Sequence, residues 1–427
     1  MVSFSTRLPV TQERVSSFVS TFSTLVLPTY LSYFVMGVLV QRKRTAIIRF
    51  ALLPITLLCA YRAGSSPDLS FGIPNYRFLD QGLVCAMFVF AMRSTTWAFA
   101  KKPYKRIALQ PKKRFDGDSM SGGTSNQSTN DDDDGTLFTA IWNAWDLLFN
   151  LRGIGWNWSE GSSIPKSNLG TKSTLEFLLI TFAKLVFYVL ATDVTSGAAR
   201  YLSPGTSGST EGGTIFDASL TPLSRYTRST IITVLFGSTI YLTVESFYHI
   251  YTIQSILLFR QTPSQWPPLF DNPLISTSLT SLWGRRWHQL LRQCFISLGA
   301  RPFSYLLGRT GGVMGAFVIS GALHYFGFKA TTRGNHPIAT FVFFNMQGVG
   351  IILEGMWKRR TGLRVDGFPG LLWTWVWMVF WAHFMVDECA RDGLMGLMFF
   401  PDDYRPTVLL VHFLKHLFRA VWIFGDY

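Results

Sequence analysis

A histidine inside a long apolar run is the first pattern in this chain that could perform chemistry. The run, Thr310 to Lys329, reads TGGVMGAFVISGALHYFGFK and contains His324. An ionisable side chain in a membrane-spanning segment is costly, and it usually lines a protein-walled or water-filled cavity. Burial favours neutral imidazole, which can take a proton at neutral pH. His324 is therefore a candidate general base, and a histidine merely hydrogen-bonded to a neighbouring helix is the alternative.

One face of a helix through this run would carry Phe317, Ser320, His324 and Phe328. The bulky side chains near His324 include Phe317, Phe328, Tyr325 and Phe326. If they face a substrate tunnel, we expect them to shorten it.

A second histidine, His288, lies upstream in SLWGRRWHQLLRQC. We predict a helix from Thr277 that places Arg285, His288 and Arg292 on one face. Guanidinium groups bind phosphate oxygens in a bidentate manner, and an imidazole can stabilise a developing oxyanion. Composition alone equally fits a helix beside the membrane, anchored by basic side chains and aromatic rings at the headgroup level.

The elements that position these residues are predicted to be membrane helices. The chain has 427 residues, of which 48% are hydrophobic and 15% charged, whereas about a quarter of the residues in a soluble domain are charged. Its apolar runs have the length of about 20 residues that spans a bilayer. We predict a single all-α, polytopic membrane bundle of about 8–9 transmembrane helices over residues 1–427. The predicted spans are Thr21–Val40, Thr45–Tyr61, Gln81–Ala100, Thr174–Val194, a stretch within Ser229–Leu258, Thr310–Lys329, Ile338–Trp357, Phe368–Val386 and a weaker ninth at Arg405–Phe424.

The net charge of +14 comes from clusters beside the spans, which indicates membrane orientation and no nucleic-acid partner. Eight alternating spans place the clusters at Arg42–Arg44, Lys101–Arg114, Arg260–Arg309 and Lys358–Arg364 on one side. The positive-inside rule then predicts that this side is cytoplasmic and the N-terminus non-cytoplasmic. Residues 115–135 are polar and end in an acidic run, so we expect a disordered cytoplasmic loop. The four cysteines have no metal-ligand spacing, and we predict no metal site.

Three motifs resemble the wax synthase-like branch of the membrane-bound O-acyltransferase superfamily. WGRRW with His288 resembles its signature, SGALHYFG around His324 resembles its histidine segment, and RGIGW at Arg152–Trp156 resembles a stretch of its filamentous-fungal members. The resemblance covers most of residues 152–401, which we interpret as the catalytic region. Plant-type relatives carry asparagine at the position of His288, so the resemblance leaves the role of His288 open.

The resemblance implies transfer of an acyl group from acyl-CoA to a hydroxyl, with no permanently bound cofactor. His324 would be the general base and His288 the hydrogen-bond donor to the carbonyl oxygen. CoA would contact Arg285, Arg286, Arg292, Trp283 and Trp287. The fungal resemblance further implies acetyl-CoA as donor, a terpenoid or meroterpenoid alcohol as acceptor, and the endoplasmic reticulum as location.

Three alternatives compete with this interpretation. A long-chain wax ester synthase would use a fatty acyl-CoA and a fatty alcohol. A transporter would be expected to show an internal repeat or paired broken spans, which the sequence lacks. A membrane terpene cyclase would need acidic groups within the membrane, and the glutamates at 176, 245 and 354 are scattered.

Overall fold

A computed structural model describes residues 18–66, 68–107, 136–159, 161–165, 167–332, 335–397 and 404–413. The regular structure of the described residues is helical, apart from one isolated bridge between Arg106 and Trp156. The long helices are α1 (Phe18–Leu39), α2 (Ala46–Ser65), α3 (Arg77–Ala98), α4 (Leu137–Phe149), α5 (Thr174–Leu202), α6 (Pro222–Phe259), α7 (Arg301–Lys329), α8 (Ile338–Thr361) and α9 (Gly367–Arg391). Short helical turns precede α7, at Leu279–Ser281, Leu282–Arg286, Arg292–Phe295 and Ile296–Ala300.

Seven helices among the described residues are long and apolar enough to cross a membrane, namely α1, α2, α5, α6, α7 (counted from Arg292), α8 and α9. This confirms the predicted all-α membrane bundle. The predicted third span forms α3, which has 22 residues but carries Arg77, Asp80 and Arg93 and is less apolar than the seven. Arg93 is buried and donates hydrogen bonds to the backbone oxygens of Leu147 and Asn150, so α3 is tied to the end of α4.

Two predicted segments lie partly or wholly outside the described residues. Residues 115–135 are not described, and the weaker ninth span is described only as a helix over residues 406–413. The predicted span around His324 was too short at its beginning, because helical structure extends back through α7 to Arg301. Helix α7 bends at Leu307 and Gly308, where Gly308 has φ 60°. A backbone with that φ is easily adopted only by glycine.

The bundle is built mainly from helices that are neighbours in the chain. Helices α5 and α6 pack along each other, as do α7 with α8 and α2 with α3. The largest buried cluster lies between α6, α8 and α9, where Ile232, Phe344 and Val386 meet. This cluster forms one wall of the region that contains His324.

Hydrogen bonds hold several helix ends at the same end of the bundle. The backbone nitrogen of Tyr104, just after α3, donates to the oxygen of Val40 at the end of α1 (3.0 Å). Gln293 Nε2 donates to the Tyr104 hydroxyl (3.0 Å), and Thr277 Oγ1 donates to Asp366 Oδ1 before α9. These bonds tie the end of α1 to the segment after α3 and to the turn at Arg292–Phe295, and they tie the segment before the WGRRW turn to the start of α9.

Candidate active site

His324 lies on α7 with its ring flat against Phe344 of α8. The two ring centroids are 4.0 Å apart and the planes differ by 5°. The His324 side chain is only partly buried, and neither ring nitrogen hydrogen-bonds to a described residue. The alternative in which a neighbouring helix holds the imidazole by a hydrogen bond therefore has no support among these residues. Stacking fixes the ring while leaving its nitrogens available to a ligand.

The WGRRW segment is not the continuous helix that we predicted. A helical turn begins after Ser278, whose side chain caps Ser281 N (3.1 Å), and it ends at Arg286. Trp287 is extended with ψ 154°, His288 is non-helical, and helix resumes at Arg292. The prediction that Arg285, His288 and Arg292 share one helical face is therefore wrong.

The side chains of Arg286 and Gln289 explain why this segment leaves the helix. Arg286 turns back to donate to the backbone oxygens of Asp271 (3.1 Å) and Asn272 (3.2 Å), while Asp271 N donates to Arg286 O (2.9 Å). Gln289 Nε2 donates to the backbone oxygen of Trp287 (3.0 Å). These local bonds replace those that a continuing helix would make.

Glu354 of α8 anchors the beginning of the same segment. Its buried carboxylate accepts hydrogen bonds from Leu279 N (2.6 Å), Thr280 N (3.0 Å), Thr280 Oγ1 (2.6 Å) and Trp373 Nε1 (3.1 Å). The carboxylate sits at the first turn of the segment, where free N–H groups attract negative charge. The sequence showed Glu354 only as a scattered acidic residue, because its partners are distant in the chain.

Trp283 points into the bundle toward the His324 region. Its ring centroid lies 6.0 Å from that of Phe317 and 6.3 Å from that of Phe344, the residue on which His324 stacks. Its indole Nε1 is enclosed and has no partner among the described residues, as is Nε1 of Trp381 in the same cluster. Buried donors of this kind normally have a partner, so each indole is a candidate to donate a hydrogen bond to a bound ligand.

His288 lies beside this region, in edge contact with Phe270 (5.6 Å between ring centroids) and next to Trp287 (5.6 Å). Its Nδ1 is enclosed and finds no partner among the described residues. A series of ring contacts joins the two histidines: His324 stacks on Phe344, which lies 6.3 Å from Trp283, and Trp283 lies 5.7 Å from Trp287 next to His288. The structure thus brings the two motif histidines together.

The protonation of His288 is set by its surroundings. Burial first, and then the positive charge of Arg152, lower the pKa of His288 from 6.5 to about 4. The imidazole is therefore neutral at pH 7, with one N–H to donate and one nitrogen to accept.

Arg152, the first residue of RGIGW, holds the chain just before the WGRRW segment. Its Nη1 donates to Pro268 O (2.7 Å), and its Nη2 donates to Pro267 O (2.7 Å) and to the hydroxyl of Tyr248 on α6 (3.1 Å). The Tyr248 hydroxyl also donates to Pro267 O. All three motifs therefore meet at one place, and the resemblance had given Arg152 no role.

The three arginines expected to contact CoA have different surroundings. Arg285 is exposed and Arg292 is partly buried, while Arg286 uses its guanidinium for the backbone bonds described above. Arg285 and Arg292 are therefore the better placed of the three for a ligand, and the CoA contacts of all three, and of Trp283 and Trp287, stay predictions.

The aromatic residues predicted to shorten a tunnel divide into two groups. Phe317 contacts Trp283 and Phe328 packs on the main buried cluster. In contrast, Phe326 is 48% exposed and stacks on Phe88, while the Tyr325 hydroxyl bonds His336 Nδ1 (2.8 Å). Phe326 and Tyr325 therefore point away from the site.

Two further histidines have hydrogen-bond partners that give them structural roles. His383 Nδ1 bonds the oxygen of Val379 (2.7 Å), and its Nε2 lies 3.1 Å from Thr230 Oγ1. His249 Nδ1 bonds the oxygen of Glu245 (2.7 Å) and lies 3.6 Å from its carboxylate.

Comparison with known proteins agrees with the motifs. Residues 266–346 match the membrane bound O-acyl transferase family, and this segment contains both histidines. The resemblance is thereby confirmed. The matched segment begins at Trp266 and includes the WGRRW turn, all of α7 and Phe344 of α8.

Curated relatives are fungal. The chain is 28% identical to the acetyltransferase aurG of Calcarisporium arbuscula over 43% of this chain and 46% of the relative. It is 28% identical to the acetyltransferase ple2 of Rhodocybe pseudopiperita over 56% of this chain and 63% of the relative. It is 25% identical to the O-Mevalon transferase yanI of Aspergillus niger over 82% of this chain and 79% of the relative. The matches with the first two thus span about half to two thirds of those relatives.

Proposed function

We propose that the chain is a membrane-bound O-acyltransferase that moves an acyl group from acyl-CoA to the hydroxyl of a lipophilic alcohol. The observation that carries the proposal is that a continuous series of ring contacts joins His324 and His288, from two separate motifs, beside buried polar atoms that have no partner among the described residues. A structural histidine pair would be expected to have its hydrogen bonds satisfied. The family match and the acetyltransferase names of two relatives support the same reaction class.

In the proposed reaction, an imidazole nitrogen of His324 accepts the hydroxyl proton as the alcohol oxygen attacks the thioester carbonyl. The carbonyl oxygen becomes an oxyanion and accepts a hydrogen bond from His288, which burial keeps neutral. Collapse of this intermediate breaks the carbon–sulfur bond and releases the CoA thiolate. The thiolate takes the proton back from His324, so that ester and CoA leave and the histidine is neutral again.

We further propose acetyl-CoA as the donor and a terpenoid or meroterpenoid alcohol as the acceptor. Support comes from the two relatives named as acetyltransferases and from Phe317 and Phe344, which narrow the space next to Trp283 and His324. We place the protein in the endoplasmic reticulum, with its N-terminus on the non-cytoplasmic side and its basic end toward cytosolic CoA.

The test is incubation of microsomes containing the protein with acetyl-CoA or a long-chain acyl-CoA and a panel of alcohols, followed by mass spectrometry of the esters. We expect acetyl esters of terpenoid alcohols. Long-chain esters of fatty alcohols would instead identify a wax ester synthase. Absence of any ester across the panel, with the protein present in the membrane, would contradict the proposal.

A further inference from the structure

We propose that a basic pocket between the α1–α2 turn and the end of α3 binds the phosphate headgroup of an anionic glycerophospholipid. The pocket has a volume of about 350 Å³, and none of the described residues that line it is acidic. Six cationic side chains line it: Arg42, Lys43, Arg44, Arg49, Lys101 and Lys102. The first three had been read from the sequence as an orientation signal, but the fold brings them together with residues beyond α3.

Arg49 is a buried member of this pocket. Its side chain is 6% exposed, and its guanidinium donates to the backbone oxygens of Trp97 and of Ala100 (3.1 Å). These carbonyls form the negative end of α3, so Arg49 covers the groups that would repel an anion. Its Nε has no hydrogen-bond partner among the described residues. A buried cation of this kind is stabilised when a negative charge binds beside it.

The turn that supplies the exposed cations is fixed by its own hydrogen bonds. Thr45 Oγ1 donates to the oxygens of Leu39 (2.6 Å) and Arg42 (3.0 Å), and Arg44 has φ 59°. Few residues other than glycine adopt this left-handed conformation without cost. This fixed turn holds the backbone that carries the cationic side chains in place before a ligand binds, which lowers the entropy cost of binding.

The remaining wall is apolar, which favours a lipid over a water-soluble phosphate. Phe50 and Phe99 meet edge to face with centroids 5.0 Å apart, and they are 45% and 65% exposed. Ile47, on the first turn of α2, is 84% exposed. A phosphate in the basic pocket would therefore have exposed apolar surface beside it, where the acyl chains of the same molecule can lie.

The test measures lipid binding without turnover. The purified protein in a neutral detergent is titrated with dioctanoyl phosphatidic acid or dioctanoyl phosphatidylcholine, and bound lipid is counted by native mass spectrometry. The pocket variant is Arg44→Glu/Lys101→Glu/Lys102→Glu, which changes only exposed side chains. The matched control is Lys358→Glu/Arg359→Glu/Arg360→Glu, an exposed basic run of three residues that does not line the pocket.

We expect phosphatidic acid to bind the unchanged protein at least about tenfold more tightly than phosphatidylcholine. Because each cation beside an anionic lipid contributes measurably, the pocket variant should lose about tenfold or more of that affinity, while the control changes by less than about twofold. If both variants lost affinity for phosphatidic acid equally, binding would depend only on the overall charge of the surface, and the assignment of the pocket would be overturned. Displacement of phosphatidic acid by free CoA would assign the pocket to CoA phosphates and also overturn it. Because binding is measured in the absence of acyl-CoA and alcohol, failure here is distinct from failure of the proposed acyl transfer.

Discussion

Replacement of Glu354 by glutamine removes the anchor of the WGRRW segment while nearly preserving side-chain shape. The carboxylate accepts four hydrogen bonds, whereas the amide oxygen of glutamine accepts two and its NH2 group then faces the remaining donors. Hydrogen bonds to a buried charged group contribute about 1.5–3 kcal/mol each. Loss of two of them should therefore destabilise the docked segment by about 3 kcal/mol or more.

Movement of the WGRRW segment should also lower catalytic activity, because Trp283 and His288 follow the anchored turn directly. A shift of about 1 Å at reacting groups typically lowers the rate about 100-fold. We expect the Glu354→Gln variant to show a lower apparent unfolding temperature in detergent and a loss of ester formation of that order in microsomes. The assay is mass spectrometry of the ester, normalised to the amount of protein in the membrane.

A second glutamate provides the control. Glu176 pairs with Lys172 at the surface, its side chain is 49% exposed, and exposed pairs of this kind contribute little to stability. Glu176→Gln should change neither the unfolding temperature nor the ester yield. If Glu354→Gln were as stable and as active as Glu176→Gln, the reasoning that Glu354 positions the site would be refuted.

Two further predictions concern the site itself. His288→Asn should retain measurable transfer because the amide still donates a hydrogen bond, whereas His288→Ala should lose about 100-fold or more. Since the pKa of His288 is lowered to about 4, its protonation state does not change above about pH 5, and the ratio of transfer rates between the unchanged protein and His288→Asn should not vary with pH in that range. Equal, near-normal rates in both variants would remove His288 from the site. Phe317→Ala should raise the hexanoyl-to-acetyl transfer ratio about tenfold by opening apolar space near Trp283, whereas Phe326→Ala, on the outer face, should leave the ratio unchanged. A ratio that moves equally in both variants would contradict the assignment of Phe317 to the acyl tunnel.

The bundle was predictable because apolar runs of membrane-spanning length carry their own signal. The helix that was hardest to predict was α3, because Arg93 interrupts its apolar run. That guanidinium is accommodated by carbonyls near the end of α4, which a window along the sequence cannot detect. Helix α7 begins at Arg301, before its apolar run, since a helix end is decided by local bonds as much as by hydropathy.

The motif histidines were predictable as residues but not as a pair. Their spacing suggested a helical face for His288, and the bonds of Arg286 to the Asp271–Asn272 turn override that periodicity. Glu354 and Phe344 were missed for a related reason. Each acts on a residue far away in the chain, Glu354 through hydrogen bonds and Phe344 through ring stacking on His324. Only the packing of α8 against its neighbours reveals them.

The central claim is that a neutral imidazole at position 324 takes the proton of the acceptor alcohol. The most direct measurement compares ester formation from acetyl-CoA in microsomes containing the unchanged protein, His324→Ala, or His336→Ala. His336 is an exposed histidine just beyond the same helix and serves as the control. General-base catalysis typically contributes about 10²–10⁴-fold, so His324→Ala should lose transfer by at least about 100-fold at equal membrane abundance, while His336→Ala stays close to normal. Full transfer by the His324→Ala protein would contradict the account.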